Sequence, residues 1–442
     1  MRGNSGQMAD DAFRSRLAEI PLFVPEGELL DARGSFLRAR LPAVPIGALC
    51  EIIDRATDAR IEAEVIGFSS GSVVLAPLGG LEGISLNARI VPTGRFRTIR
   101  VGGSLIGRIV DGWARPIDPL GPLGSDLAEV RVSGDPPGPM SRQKVNAPMP
   151  VGLRAIDGLL TCGRGQRVGI FGEPGAGKST LLGSLVRNAN ADLCVVGLIG
   201  ERGREVKEFI EDILGEAGLG RSVVVVATSE QSPVDREAAA LSATRIAEHF
   251  RDEGKDVLLV IDSLTRYARA LREIGLAAGE VPTRRGFPSS VFASLPRLLE
   301  RSGNGATGSI TAFYTVLVEG DGFGDPVSEE VRSILDGHIV LSSELAAKNH
   351  YPAIDILRSK SRVAGMVTTD HHQAAAGEFR TLFAKLAEIE FLHQVGEYQR
   401  GSDITADRAV DARDAMTGFL QQSVGEVNTF DETLALLTEV AQ

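Results

Sequence analysis

Residues 172–179 read G-E-P-G-A-G-K-S, and their glycines, lysine and serine occupy every fixed position of the G-x-x-x-x-G-K-[ST] phosphate loop. Side chains of these types at this spacing can cradle a polyphosphate. Gly172, Gly175 and Gly177 let successive backbone N–H groups turn inward, while Glu173, Pro174 and Ala176 fill the variable positions. Lys178 is expected to reach the β- and γ-phosphate oxygens, and the Ser179 hydroxyl to ligate the Mg²⁺ that travels with a nucleoside triphosphate. Thr180 opens the following helix, whose N-terminal amides add a favourable dipole where the phosphate charge sits. The alternative is a chance glycine-rich turn. The flanks argue against it, since 167–171 is a short apolar run and 180–186 carries apolar residues at helical spacing.

Two carboxylates complete the candidate chemistry. Asp262 follows the apolar run 257–261, where a second carboxylate is needed to hold water ligands of Mg²⁺ opposite Ser179. Glu201 stands just beyond the run 193–198, where a strand neighbouring the phosphate loop could carry a general base that orients water against the γ-phosphate. A solvated charged loop explains Glu201 equally well on spacing alone.

The elements that must position these residues follow from periodicity. The continuous apolar runs 193–198, 223–226, 257–261 and 310–313 alternate with helical patterns, which predicts an α/β domain with a mostly parallel sheet buried on both faces. Phosphates and catalytic groups are then expected at the C-terminal edge of that sheet. Upstream, short alternating runs at 37–41, 60–66, 72–76 and 88–91 predict a small closed β-barrel. An oligonucleotide-binding barrel would want stacking aromatics and clustered basic residues. Only Phe36 and Phe68 lie within, so an assembly role is favoured. Phe13, Leu17 and Ile20 share a helical face, read either as a frayed surface helix or as a docking element. Beyond residue 363 the strands stop. Phe379, Leu382, Phe383, Leu386, Ile389 and Leu392 lie at helical spacing, and Thr429 with Glu432 forms a capping box. The expected division is a docking helix at 1–20, a barrel at 21–92, a nucleotide-binding domain at 93–363 and a helical domain at 364–442.

Composition bounds the partners. The 442 residues hold 47 Lys+Arg against 58 Asp+Glu, a formal net charge of −11 that argues against a dedicated nucleic-acid binder. Cys50, Cys162 and Cys194 stand far apart and read as reduced, inert thiols. The most apolar stretch, 309–318, is about half the length needed to span a bilayer, so a soluble, cytoplasmic chain that reaches membranes only through partners is expected. Adjacent His371 and His372 after Asp370 would point apart and lack further ligands at suitable spacing, so no metal beyond Mg²⁺ is expected.

Five stretches in order, 172–179, 200–205, 257–268, 282–292 and 351–355, together resemble the type III protein secretion ATPases, relatives of the catalytic subunit of rotary ATP synthases. The resemblance runs from about residue 20 to the C-terminus. Stretches 157–171 and 395–401 look more like the injectisome branch than the flagellar one. The resemblance implies a RecA-like core, ATP as substrate and a homohexameric ring. It places Glu201 on the family's catalytic glutamate and Arg202 on a neighbour assisting near the γ-phosphate. Tyr351 falls on the aromatic that stacks on adenine, and Arg362 on an arginine finger inserted into the next subunit's site. Implied partners are a stator protein near the N-terminus, a central stalk, the export gate, and chaperone–cargo complexes at the C-terminal helices, with the ring peripheral to the inner-membrane secretion apparatus. Ser343 and Gly322 depart from residues commoner in the family, Arg and Asp respectively. A flagellar export ATPase, a rotary ATP synthase catalytic subunit, a non-catalytic ring subunit and an RNA translocase are the rivals; Glu201 argues against the third.

Overall fold

The computed structural model describes residues 25–318, 325–394 and 397–441. The expected docking helix at 1–20 and Gly322 lie outside the described residues.

The chain divides into two compact units. The first reaches to Arg97 and takes in Ala277–Gly279. Its six strands are β1 (Gly27–Arg33), β2 (Phe36–Arg40), β3 (Ala48–Ile53), β4 (Arg60–Ser69), β5 (Ser72–Pro77) and β6 (Arg89–Phe96). They close into a barrel in the order β1-β2-β5-β4-β3-β6, with β1 returning to pair with β6 through Gly27 and Ile90. The alternation seen in sequence is the reason: Leu37, Ala39, Cys50, Ile52, Ala63, Val65, Leu75 and Ile90 point into one small core, while intervening residues face out, and closure leaves no unpaired edge.

The second unit comprises Thr98–Leu276 and Glu280–Gln442. A ribbon pairs β7 (Thr98–Val101) with β9 (Ala128–Arg131). The main sheet runs in the order β17-β16-β10-β15-β13-β11-β12-β8. Its members are β8 (Ile109–Asp111), β10 (Arg167–Gly172), β11 (Leu193–Glu201), β12 (Ser222–Thr228), β13 (Asp256–Asp262), β15 (Ser309–Leu317), β16 (Gly337–Leu341) and β17 (Ile354–Ser361), with the short β14 (Gly303–Asn304) beside β15. The strands from β16 through β8 are parallel, and only β17 at one edge and β14 are antiparallel.

Alternate residues of each central strand feed two cores on opposite faces. Cys194, Val196 and Leu198 of β11 join Leu181, Leu182 and Leu185 of the helix Lys178–Asn188. Leu193, Val195 and Ile199 join Ala243 and Phe250 of the helix Pro233–Asp252. This double burial explains the unbroken apolar runs. The same core that buries the Lys178–Asn188 helix also buries Phe379 and Leu382 of the helix Asp370–Gln394, Met416 and Phe419 of Arg413–Leu420, and Leu437 of Phe430–Val440. The C-terminal helices therefore share the nucleotide-side core instead of burying a separate one. Thr429 and Glu432 make the reciprocal capping box expected at the last helix.

Candidate active site

The phosphate loop leaves the end of β10 and enters the helix Lys178–Asn188 at once. Gly175 and Gly177 have φ of 87° and 80°, left-handed values that side chains with a Cβ seldom adopt. The spacing of glycines in the sequence is thus a backbone requirement of the loop. Lys178, next along, places Nζ 2.7 Å from Asp262 Oδ1 at the end of β13, two strands over from β10. Thr315 of β15 donates to the same Asp262 oxygen at 2.7 Å.

Glu201 ends β11 one strand further along. Its Oε1 lies 4.0 Å from Lys178 Nζ. Arg266, on the helix Leu264–Ala277 that follows Asp262, holds both oxygens of Glu201, at 3.1 Å from Nε and 3.3 Å from the second nitrogen. Glu201 and Asp262 are both buried. Burial first, then the Asp262 charge, pushes the Glu201 carboxyl up to about 7, while Lys178 and Arg266 pull in the other direction. A carboxylate titrating near neutrality is suited to accepting a proton from water.

A cavity of about 160 Å³ is lined by Ser179, Glu201 and Asp262 together with Glu205, Val206 and Phe209. A hydroxyl and carboxylates around one small space are hard oxygen donors of the kind Mg²⁺ takes, with waters filling its remaining positions. The residues fit the ion. On the other side of the loop a more apolar cavity of about 430 Å³ runs between Gly177, Thr180 and Leu181 and the ring of Tyr351, with Leu153, Leu341, Ala353 and the turn residues Gln422, Ser423 and Val424 closing it. Tyr351 packs so closely on the loop that a Cβ on Gly177 would meet its ring at 3.3 Å.

The structure thus brings together Ser179, Glu201 and Asp262 around one cavity, with Lys178 bonded to Asp262 beside them, and Gly177, Thr180 and Tyr351 around a second. Two expected residues stand apart. Arg202 is exposed and pairs with Glu205 at 3.0 Å. Arg362 lies beyond the far end of β17, exposed, donating to the Arg332 carbonyl at 3.4 Å. Strand direction sets this separation: Ile354 pairs with Leu341 at the phosphate-loop edge, whereas Ser361 pairs with Gly337 at the opposite edge. Eight strand residues put about 25 Å between the two ends. Outside the site, His372 is buried with Nε2 2.7 Å from the Gly158 carbonyl oxygen, and His371 is exposed. The three cysteines are buried, and burial pushes each thiol above its ordinary value.

Sequence reasoning missed Thr315, Arg266 and the 422–424 turn. Arg266 stood inside a recognised stretch, four residues after Asp262, and that spacing from a strand end into a helix was the available signal. Thr315 was one of several hydroxyl-bearing residues in an apolar run, with nothing in its spacing to single it out. Nothing in the sequence pointed to the turn.

Fold and loop together define a P-loop nucleotide-binding domain with the phosphate site at the C-terminal edge of a parallel sheet. Residues 152–361 match the ATP synthase alpha/beta family, nucleotide-binding domain, and 368–439 match the T3SS EscN ATPase C-terminal domain. The type 3 secretion system ATPase of Sinorhizobium fredii is 52% identical over 100% of this chain and 97% of that protein, and that of Xanthomonas euvesicatoria is 53% identical over 98% of each. The flagellum-specific ATP synthase of Pseudomonas aeruginosa is 47% identical over 94% of this chain and 93% of its own. The structure of the assembled ATPase EscN from the enteropathogenic E. coli type III secretion system superposes with a TM-score of 0.89 at 46% identity, covering 94% of this chain and 100% of that one. EscN in complex with its central stalk EscO gives 0.86 at the same identity and coverage. The chain belongs to the type 3 secretion system ATPase family. Among the described residues no helix is long and apolar enough to cross a membrane.

Proposed function

We propose that this protein hydrolyses ATP as a homohexameric ring, each site completed by the neighbouring subunit, and that the hydrolysis releases chaperones from export cargo and unfolds that cargo at the cytoplasmic face of a type III secretion apparatus. One observation carries the enzymology: Lys178, Glu201 and Asp262 converge on the phosphate loop while Arg362 stands at the opposite edge of the same sheet.

Lys178 neutralises charge on the β- and γ-phosphates, exchanging its contact with Asp262 for phosphate oxygens. Glu201, held by Arg266, orients a water in line with the γ-phosphorus and accepts its proton. Mg²⁺ bound with the nucleotide supplies further charge neutralisation, and Ser179 and Asp262 are the residues that would hold it, Asp262 through water. Arg362 of one subunit stabilises the transition-state charge in the next, with Arg202 assisting near the γ-phosphate. Residues 172–180 bind the triphosphate, and Tyr351 stacks on adenine.

The family match and the solved assemblies of EscN support the ring and a central stalk partner. A stator near the N-terminus, the export gate and chaperone–cargo complexes at the C-terminal helices complete the proposed partners, with the ring peripheral at the inner membrane and no role for nucleic acid. The injectisome branch is favoured because the relatives at 52% and 53% identity are named type 3 secretion system ATPases, whereas the flagellum-specific relative stands at 47%. Capture of flagellar export partners from native cells would move the protein to the other branch.

The decisive experiment mixes two inactive variants. Glu201→Gln and Arg362→Ala rings should each bind ATP without turnover. Mixed rings should recover part of the activity, because some interfaces pair an intact glutamate with an intact arginine. No recovery in rings shown to be mixed would remove Arg362 from action in trans.

A further inference from the structure

The wall of the apolar cavity facing Tyr351 is a turn far along the chain, and a single buried side chain fastens it. Arg154 begins the helix Arg154–Leu159, shortly before β10, and is 7% exposed. All five of its side-chain N–H donors are engaged. Nε donates to the Phe419 carbonyl at 3.0 Å; one terminal nitrogen reaches Asn428 Oδ1 at 2.8 Å and the Glu426 carboxylate; the other reaches the carbonyls of Gly418, at 3.2 Å, and Gln421. Gly418, Phe419 and Gln421 lie at the C-terminal end of the helix Arg413–Leu420, where carbonyls lack helical partners and a cation is favourable.

Gln422 is held from every side. Its Oε1 accepts from the Arg154 backbone N–H at 2.8 Å, its Nε2 donates to the Gly152 and Glu426 carbonyls at 2.8 Å each, and its own N–H donates to the Tyr351 carbonyl at 2.9 Å. With its amide spent in this way, Gln422 shapes the cavity instead of offering a hydrogen bond to a ligand. Ser423 and Val424, which line the cavity next to it, owe their place to the same network.

We propose that Arg154 is a positioning residue for the nucleotide base: it fixes the 418–428 turn as the wall opposite Tyr351, so that base affinity depends on a side chain that touches neither base nor phosphate. This rests on the nucleotide reading above. The guanidinium ties the segment entering the phosphate loop to the C-terminal helices, and loosening it opens the base side of the pocket while the phosphate side keeps its own contacts.

The test separates base from phosphate binding in the full-length assembled protein. ATP turnover is titrated with substrate, and inorganic tripolyphosphate serves as a competitive inhibitor that has phosphates and no base. Arg154→Met, which keeps the apolar stem, is expected to raise KM for ATP about tenfold with kcat within about twofold, while tripolyphosphate inhibits as it does wild type. Val424→Trp, which fills the cavity from an exposed position, should show the same split. Glu426→Ala removes one anchor and should show a smaller rise in KM, which decides the matter if Arg154→Met does not fold. Equal losses for ATP and tripolyphosphate, or unchanged KM in Glu426→Ala and Val424→Trp, would overturn the proposal. Wild-type protein that neither binds nor turns over ATP would instead overturn the nucleotide reading beneath it.

Discussion

Tyr351 and Arg362 flank the same edge strand, yet they belong to different ends of the molecule's main sheet. At the Tyr351 end, Lys178 of the helix after β10 and Thr315 of β15 both bond Asp262 of β13, Glu201 of β11 stands 4.0 Å from Lys178, and each charge is answered inside the chain: Lys178 by Asp262, Glu201 by Arg266. At the Arg362 end the guanidinium lies exposed against a backbone carbonyl. On the proposed function this contrast is a division of labour, in which the groups assigned to binding and activation are prepaired within the subunit and the arginine assigned to the next subunit's site faces outward.

The largest effect should come from breaking the outward-facing end. Arg362→Ala should lower turnover by about 10³–10⁵-fold, the range for an arginine supplied to phosphoryl transfer, with ATP binding retained in a filter or fluorescence assay. A loss under tenfold would mean that the two ends are not functionally joined. Glu201→Gln tests the other end. Loss of a positioned base should cost about 10²–10⁴ in kcat, and normal turnover would return Glu201 to the solvated-loop reading.

Arg266 sharpens the comparison through pH. Because burial and Asp262 raise the Glu201 carboxyl to about 7, kcat/KM should fall as pH drops through that value and the base takes up a proton. Arg266 opposes the rise, so Arg266→Ala should move this acid limb to higher pH, by about one unit for a lost charge partner. A shift toward lower pH, or none, would break the assignment. Tyr351→Ala should raise KM for ATP about tenfold, as expected for a stacked base, with kcat nearly unchanged. The smallest effect belongs to Thr315→Val, which removes one hydroxyl bond from Asp262 and should cost about 1 kcal/mol of stability by denaturant titration.

Much of this was legible before any fold was known. The phosphate loop is contiguous, and its glycines announce left-handed backbone by their spacing alone. Asp262 and Glu201 were findable because apolar runs mark buried strands, and chemistry in a parallel sheet collects where those strands end. The barrel followed from alternation. Arg266 and Thr315 were harder, because their roles come from which strands are neighbours: β13 is flanked directly by β11 and β15 in the sheet, whereas β12 and β14 separate them along the chain. Arg154 was invisible for the same reason on a larger scale: its partners lie some 265 positions away, too far for any periodic pattern to relate them.

The local devices can be read along the chain: the loop that curls around phosphate, the strands that bury on both faces, the caps that begin helices. These depend on residue type and near-neighbour spacing, which backbone sterics and burial translate directly into structure. Tertiary structure alone decided which devices share a site. The antiparallel run of β17 put Tyr351 beside the chain's own phosphate loop and sent Arg362 to the far edge. That direction comes from pairing between strands, a non-local contact that residue spacing does not encode.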